Sequence, residues 1–406
     1  MSQTKFSSLL TLLANRNVRI IFFAYLVTFM GTAMAPIAMA FGVLDLTGST
    51  KDASIVIAAP IVASIAILLL GGTIADRTSR HKIIVIAELV AMFTQLVIAY
   101  LFLSGGATIL NLTLLMLING AAMAFNAPAS SALITQLVEK DELQSVNALL
   151  GLAKNSAMIG GAALGGVLVA WLGAGITLLI DGLSFGFSAI LVWTLKPGAQ
   201  VKPEKSSFIQ DLKLGWKEFS SHTWIWVIVL QFSFVVAALE SVFALLGPAV
   251  AKSQLGGPID WGFIAGGLGA GTVFGGILAF KIKPKYPMRL ATFCVLFFSL
   301  LPLALSVPLA VYWIVVLAFI SGIALEIFGV IWMTTLQKKI PGHLLSRVSA
   351  YDYIGSISLA PLGIVAAGFL YEVMGSTEVL ILAALTILIP TVLTLFVKDV
   401  WYMRDD

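Results

Sequence analysis

Long apolar runs separated by short polar breaks run the whole length of the chain. Membrane-length runs fall at 18–45, 53–75, 83–103, 109–133, 147–171 and 174–195. After a polar stretch at 196–222 they resume at 223–251, 259–280, 288–306, 309–336, 349–372 and 376–397. A membrane-crossing helix needs about 20 apolar residues, so twelve such runs take up most of the 406 residues. The runs at 18–45 and 309–336 exceed that length, and tilt or extension beyond the bilayer would accommodate them. The pattern predicts an all-α membrane protein with twelve transmembrane helices.

Composition agrees. Hydrophobic residues make up 59% of the chain and charged residues only 11%, against about a quarter charged in a soluble domain. The mean hydropathy is +1.02. These values exclude a soluble enzyme, a nucleic-acid binder and a disordered scaffold. Residues 1–17 are polar, and the apolar run that follows is too long for a signal-peptide core, so it reads as a retained span. The single cysteine, Cys294, lies inside an apolar run and allows no disulfide within the chain.

The net charge of +4 carries less information than its distribution. With the N-terminus inside, 21 of the 24 Lys and Arg residues fall on the cytoplasmic side. Only Lys51 and Lys252 lie outside, and Lys154 sits within a span. The positive-inside rule then predicts that both termini are cytoplasmic.

The chain also repeats. VEKDELQSVNA (138–148) parallels IPGHLLSRVSA (340–350) at an offset of 202, pairing Val138 with Ile340, Leu143 with Leu345, Val146 with Val348 and Ala148 with Ala350. The same offset pairs Gly166 with Gly368 and Gly173 with Gly375. Two six-helix parallel pseudo-repeats are therefore expected: an N-terminal bundle over 1–195, a cytoplasmic linker over 196–222 and a C-terminal bundle over 223–406. In such transporters the substrate site lies near the midplane between the repeats. Within the linker, SFIQDLKLGWKEF (207–219) has helical apolar spacing beside Lys213 and Lys217, which predicts an interfacial helix.

The most specific local motif is GGTIADRTSRHK (71–82), an acid and several bases compressed into the turn after the second span. Gly72 would permit close helix approach, Asp76 could cap a helix or pair with a base, and Arg77, Arg80 and Lys82 could latch other helix ends. The plainer alternative is a set of ordinary positive-inside loop charges. Here the chain resembles the major facilitator superfamily, whose loop pattern G-x-x-x-D-R-x-G-R-R/K is matched by Gly72, Asp76, Arg77 and Arg80. Ser79 replaces the second glycine, and His81 takes the next basic position. VLDLTGST (43–50), LVEKDELQSVNAL (137–149), LLIDGLSF (178–185) and TTLQKKIPGHLLSRVSA (334–350) resemble the macrolide-efflux and enterobactin-exporter branch. The resemblance implies the major facilitator fold in a bacterial inner membrane, with alternating access gated by the 71–82 loop. It also implies export of amphipathic organic molecules of the drug or siderophore class, in exchange for protons.

Two positions depart from the antiporter pattern. GAALGG (161–166) has Ala162 where the fifth-span antiporter motif has proline, and Met116 stands near the place of the fourth-span arginine of proton-coupled drug exporters. Proton exchange would then rest on other groups. A charge in hydrocarbon costs at least ~2.5 kcal/mol, so it faces a cavity or a partner. Glu326, near the middle of the tenth span, and Glu240, in the outer half of the seventh, are the deepest coupling candidates. Asp181 and Glu88 are candidates too, although a helix–helix hydrogen bond is the alternative for both, as it or snorkelling is for Lys154.

Thr28, Thr32, Asn119, Asn126, Asn155 and Gln231 are the polar residues expected to line a substrate cavity, with Met30, Met34, Met123, Trp332 and Met333 as an adaptable apolar lining. Core packing or lipid contact is the alternative for each Met and Trp. Asn119 and Asn126, seven residues apart, share a helix face. Such a cavity suits bulky amphipathic molecules better than sugars or inorganic ions. GGLGAG (266–271) lies in an apolar span with no preceding strand and reads as helix packing, not a nucleotide loop. His81, His222 and His343 form no metal-ligand cluster, and no catalytic constellation or polar channel stripe is visible. The expected partners are a small amphipathic substrate, protons and membrane lipid, with no cofactor, metal or nucleic acid, and the protein is expected to be a monomer. A lipid or lysolipid flippase, or an uncoupled facilitator, on the same fold is the rival reading.

Overall fold

A computed structural model describes residues 12–75, 79–138, 142–195 and 208–404. Among the described residues the regular structure is helical throughout, with no strand. The helices are α1 (Arg16–Thr47), α2 (Thr50–Ala75), α3 (Arg80–Ser104), α4 (Ile109–Met123), α5 (Asn126–Leu137), α6 (Leu143–Trp193) and α7 (Phe208–Ser221). After them come α8 (Thr223–Ser241), α9 (Gly247–Gln254), α10 (Pro258–Ala279), α11 (Pro287–Leu296), α12 (Leu300–Leu305) and α13 (Val311–Lys339). The chain continues through α14 (Gly342–Ile357), α15 (Ala360–Met374), α16 (Ser376–Leu395) and the short α17 (Lys398–Trp401). Ten of the described helical stretches are long and apolar enough to cross a membrane.

Local sequence explains the breaks. Gly105 ends α3 in the left-handed conformation (φ 73°), and Thr108 opens α4 with a reciprocal cap in which its hydroxyl accepts from Asn111 N–H. Pro258 and Pro287 stand in the first turns of α10 and α11, where a missing N–H costs nothing. Between α8 and α9, a π-helical turn (Val242–Leu246) precedes Pro248, which has no N–H to donate to the helical ladder. The long α6 is interrupted at Gly173 (φ 80°, ψ 170°), and α15 and α16 meet at Gly375 (φ 98°, ψ 171°). Only glycine adopts that conformation without strain. These two glycines are a pair in the 202-residue repeat. Twelve crossings would require dividing α6 at Gly173 and reading α4 with α5 as one interrupted crossing.

The chain forms two compact units, one from Met1–Leu46 with Ala59–Glu204, the other from Thr47–Ala58 with Lys205–Asp406. In the first unit, Gly161 of α6 lies against the backbone of Met30 and the side chain of Ala33 in α1, and Gly120 of α4 against the backbone of Pro60 in α2. In the second, Gly363 of α15 lies against Ala237 of α8, and Gly322 of α13 against the backbone of Leu268 in α10. The glycines correspond across the repeat, Gly161 with Gly363 and Gly120 with Gly322, each 202 apart. Backbones this close leave no room for a side chain, and this is how membrane helices gain contact without a hydrophobic driving force. α3 packs along α6 in the first unit and α10 along α13 in the second. α7 docks on α14: Gly215 rests on Arg347, and the rings of Trp216 and Phe219 lie 5.5 and 5.8 Å from that of Tyr351.

Candidate functional site

In the first unit the acids sit inside helix interfaces. Glu88 and Gln95 are seven residues apart on α3, and Asp181 and Ser188 are seven apart on α6. An antiparallel pairing of the two helices therefore brings them together as two rungs. Ser188 Oγ donates to Glu88 Oε1 (2.8 Å), and Gln95 Nε2 donates to Asp181 Oδ2 (2.6 Å). All four residues are buried, Asp181 completely. α1 crosses above this ladder at Gly31, where an added Cβ would meet Ser184 Oγ and Asp181 Oδ1. One turn before Gly31, Thr28 is buried with no partner for its hydroxyl among the described residues. Each rung also retains unused capacity: Glu88 Oε2, Gln95 Oε1 and Asp181 Oδ1 have no hydrogen-bond partner among the described residues.

The asparagines extend this polar interior. Asn119 Nδ2 donates to Thr94 Oγ1 (2.9 Å), a residue of α3 adjoining Gln95. The helix breaks after Met123, so Asn126 opens α5 instead of continuing α4. Its Oδ1 still accepts from Ser130 (2.9 Å), and it flanks Glu88 together with Ser188. Both asparagines turn toward α3 despite the helix break between them. Thr32 and Met30 are half-buried on α1, Met123 is half-buried at the end of α4, and Asn155 is exposed on α6. Met34 is buried against Gly165, inside the α1–α6 contact.

The second unit is arranged differently. Trp332 is buried, and its Nε1 donates to Asp352 Oδ2 (2.9 Å). Phe328 stacks on Phe232 at 4.3 Å and on Trp332 at 6.2 Å, while Trp224 meets Trp332 edge-on at 5.5 Å. Met333 is exposed. Gln231 is buried and donates to Thr391 Oγ1 (2.9 Å), leaving its own carbonyl unpartnered among the described residues. Glu326 is half-buried, with its stem beside Gly275 and Gly276 of α10, and Glu240 is exposed one residue before the end of α8. Neither makes a hydrogen bond among the described residues.

In the 71–82 motif, Gly72 lies in the last turns of α2, Arg80 opens α3 half-buried, and Lys82 is exposed. Asp76 and Arg77 lie outside the described residues. His81 is tied down in a way sequence reasoning missed: its Nε2 is 2.7 Å from the carbonyl of Val192, and its ring stacks on Trp193. Another missed contact lies at the start of α2. Ser49 Oγ and the Lys51 N–H both donate to Glu372 Oε1 (2.5 and 3.1 Å), and Thr50 Oγ1 donates to the Gly368 carbonyl (3.0 Å). An acid capping a helix start is favourable, but the 323-residue separation left no local signal. Among the described residues no group of three or more His, Cys, Asp or Glu could hold a metal ion.

Comparison with known proteins matches this architecture. The family model described as Major Facilitator Superfamily matches residues 21–359. The multidrug efflux pump Tap of Mycobacterium tuberculosis is 25% identical over 382 residues, covering 91% of this chain and 90% of that protein. The multidrug efflux pump Tap of Mycolicibacterium fortuitum is 24% identical over 395 residues, covering 93% and 94%. Among solved structures, the nucleoside transporter NupG superposes with a TM-score of 0.74 at 13% identity, covering 96% of this chain and 100% of that one.

Proposed function

The chain belongs to the major facilitator superfamily, and from that premise we propose that it exports amphipathic organic molecules across a bacterial plasma membrane by alternating access, in exchange for protons. The observation that carries this reading is the end-to-end likeness to multidrug efflux pumps. The aromatic cluster of the second unit, Phe232, Phe328, Trp332 and Trp224, offers broad apolar ring faces that suit such cargo.

In this reading the clamped acids and the free acids have different roles. Asp181 and Glu88 hold α3 against α6. Glu326 and Glu240, at membrane depth and without hydrogen bonds, are the groups that take up and release the proton. Gly72, Asp76, Arg77, Arg80 and Lys82 form the latch that biases the transport cycle, and both termini are cytoplasmic. Growth of a sensitised bacterium on a panel of toxic amphipathic compounds tests the proposal. Expression should protect, a protonophore should remove the protection, and Asp76→Asn should weaken it without loss of membrane insertion. Protection that survives the protonophore would refute proton exchange. Full protection by Asp76→Asn would refute the latch.

A further inference from the structure

The amino-terminal half of α6 carries a feature that packing does not explain. At 100° per residue, Val146, Leu150, Ala153 and Ala157 fall on one flank, and all four are buried. Ala148, Leu152 and Ile159 fall on a second, mainly apolar flank. Gln144, Asn147, Gly151, Lys154, Asn155 and Met158 fall on the third, within an arc of about 100°. On that third flank Gln144, Asn147, Lys154, Asn155 and Met158 are exposed. Gly151 has open space where a side chain would be. Three amide side chains and one cation aligned over about 17 Å of helix, across the start of the fifth span, do not suit hydrocarbon. They suit a wet wall.

Lys154 is the chemically distinctive member. Among the described residues its ammonium makes a single contact, with the ring face of Phe29 on α1 at 5.1 Å, and no carboxylate lies within ion-pairing distance. Phe29 packs edge-on against Tyr25 at 5.3 Å, which adds a second ring to the wall. Glu88, which approaches this neighbourhood through Tyr25, is buried and turned to Ser188. An ammonium over an aromatic face keeps its charge while leaving its remaining donors free.

We propose that Lys154, flanked by Asn155 and the Tyr25–Phe29 rings, is a binding site for the anionic group of an amphipathic aromatic cargo, so that the transported molecules include organic anions such as sulfonates or carboxylates. This rests on the efflux reading above and narrows its substrate class. The ammonium and the Asn155 amide supply the charged and neutral donors, and the rings receive the apolar body.

The test uses the full-length protein in lipid nanodiscs and two permanently charged probes with the same ring, radiolabelled naphthylmethanesulfonate and naphthylmethyl-trimethylammonium. Wild type should bind the sulfonate. Lys154→Met should weaken sulfonate binding about tenfold or more, the worth of one charge-assisted hydrogen bond, and leave ammonium binding unchanged. Lys154→Arg should restore sulfonate binding to within about threefold of wild type. Absence of sulfonate binding by wild type, or equal loss of both probes in Lys154→Met, would overturn the proposal. So would a Lys154 effect that disappears when phosphatidylglycerol is omitted, since the lysine would then serve a lipid headgroup. Lys154-dependent binding without any sulfonate transport by wild-type proteoliposomes would support the site and refute the efflux reading instead.

Discussion

The two units differ in how they hold their acids: the first clamps both of its span acids described above, while the second clamps Asp352 and leaves two others unpartnered. In the first, Glu88 and Asp181 are each clamped across the α3–α6 interface by a hydroxyl or an amide. In the second, Glu326 and Glu240 have no hydrogen-bond partner among the described residues, and the interior is held by stacked rings and by the Trp332–Asp352 bond. Five of the six buried polar side-chain atoms left unpartnered among the described residues belong to the first unit: Thr28 Oγ1, Glu88 Oε2, Gln95 Oε1, Asn126 Nδ2 and Asp181 Oδ1. Polar groups in a helix interface restrict how two helices can pair, whereas an unpartnered carboxyl can change protonation without breaking a contact. Under the proposed function, this difference separates acids that build from acids that carry the proton.

Substitutions can break or sharpen that contrast. The largest effect is expected at Gly31, where any side chain enters the Asp181–Ser184 surface. Gly31→Leu should cost about 3 kcal/mol and yield little monodisperse protein by size-exclusion chromatography. Gly329→Leu on α13, with open space where a Cβ would stand, should leave the yield unchanged. Next comes Gln95→Leu, which strips Asp181 of its donor and should cost about 1–3 kcal/mol, read as a lower thermal unfolding temperature in detergent. Trp332→Phe keeps most of the ring but loses the bond to Asp352, for about 0.5–1.5 kcal/mol. The smallest effect on stability is expected for Glu326→Gln, within about 0.5 kcal/mol of wild type, yet transport should lose its dependence on pH. If Glu326→Gln unfolded the protein as readily as Gln95→Leu, the division between structural and working acids would fail.

Much of this was legible in the chain, for physical reasons that differ by residue. The helices follow from apolar run length, and the 202-residue repeat is visible because paired glycines, Gly173 with Gly375 above all, answer to one backbone geometry. The rungs were partly legible. Glu88 and Asp181 stand out as charges in apolar runs, but Gln95 and Ser188 look ordinary until α3 and α6 are laid antiparallel. Met34 reads as a cavity residue by type, and only the close approach of Gly165 places it in a helix contact. Glu372 and His81 could not be assigned from sequence, because their partners at Ser49, Lys51 and Val192 are distant in the chain and two of them are backbone groups.

The central claim is that proton exchange drives export of amphipathic molecules. It is tested most directly by uptake of amphipathic dyes of both charges into proteoliposomes of purified protein, with an imposed pH gradient, acidic inside. The account predicts dye accumulation that stops when a protonophore collapses the gradient and is lost in Glu326→Gln. Equal uptake with and without the gradient, or no uptake by wild type, would contradict it.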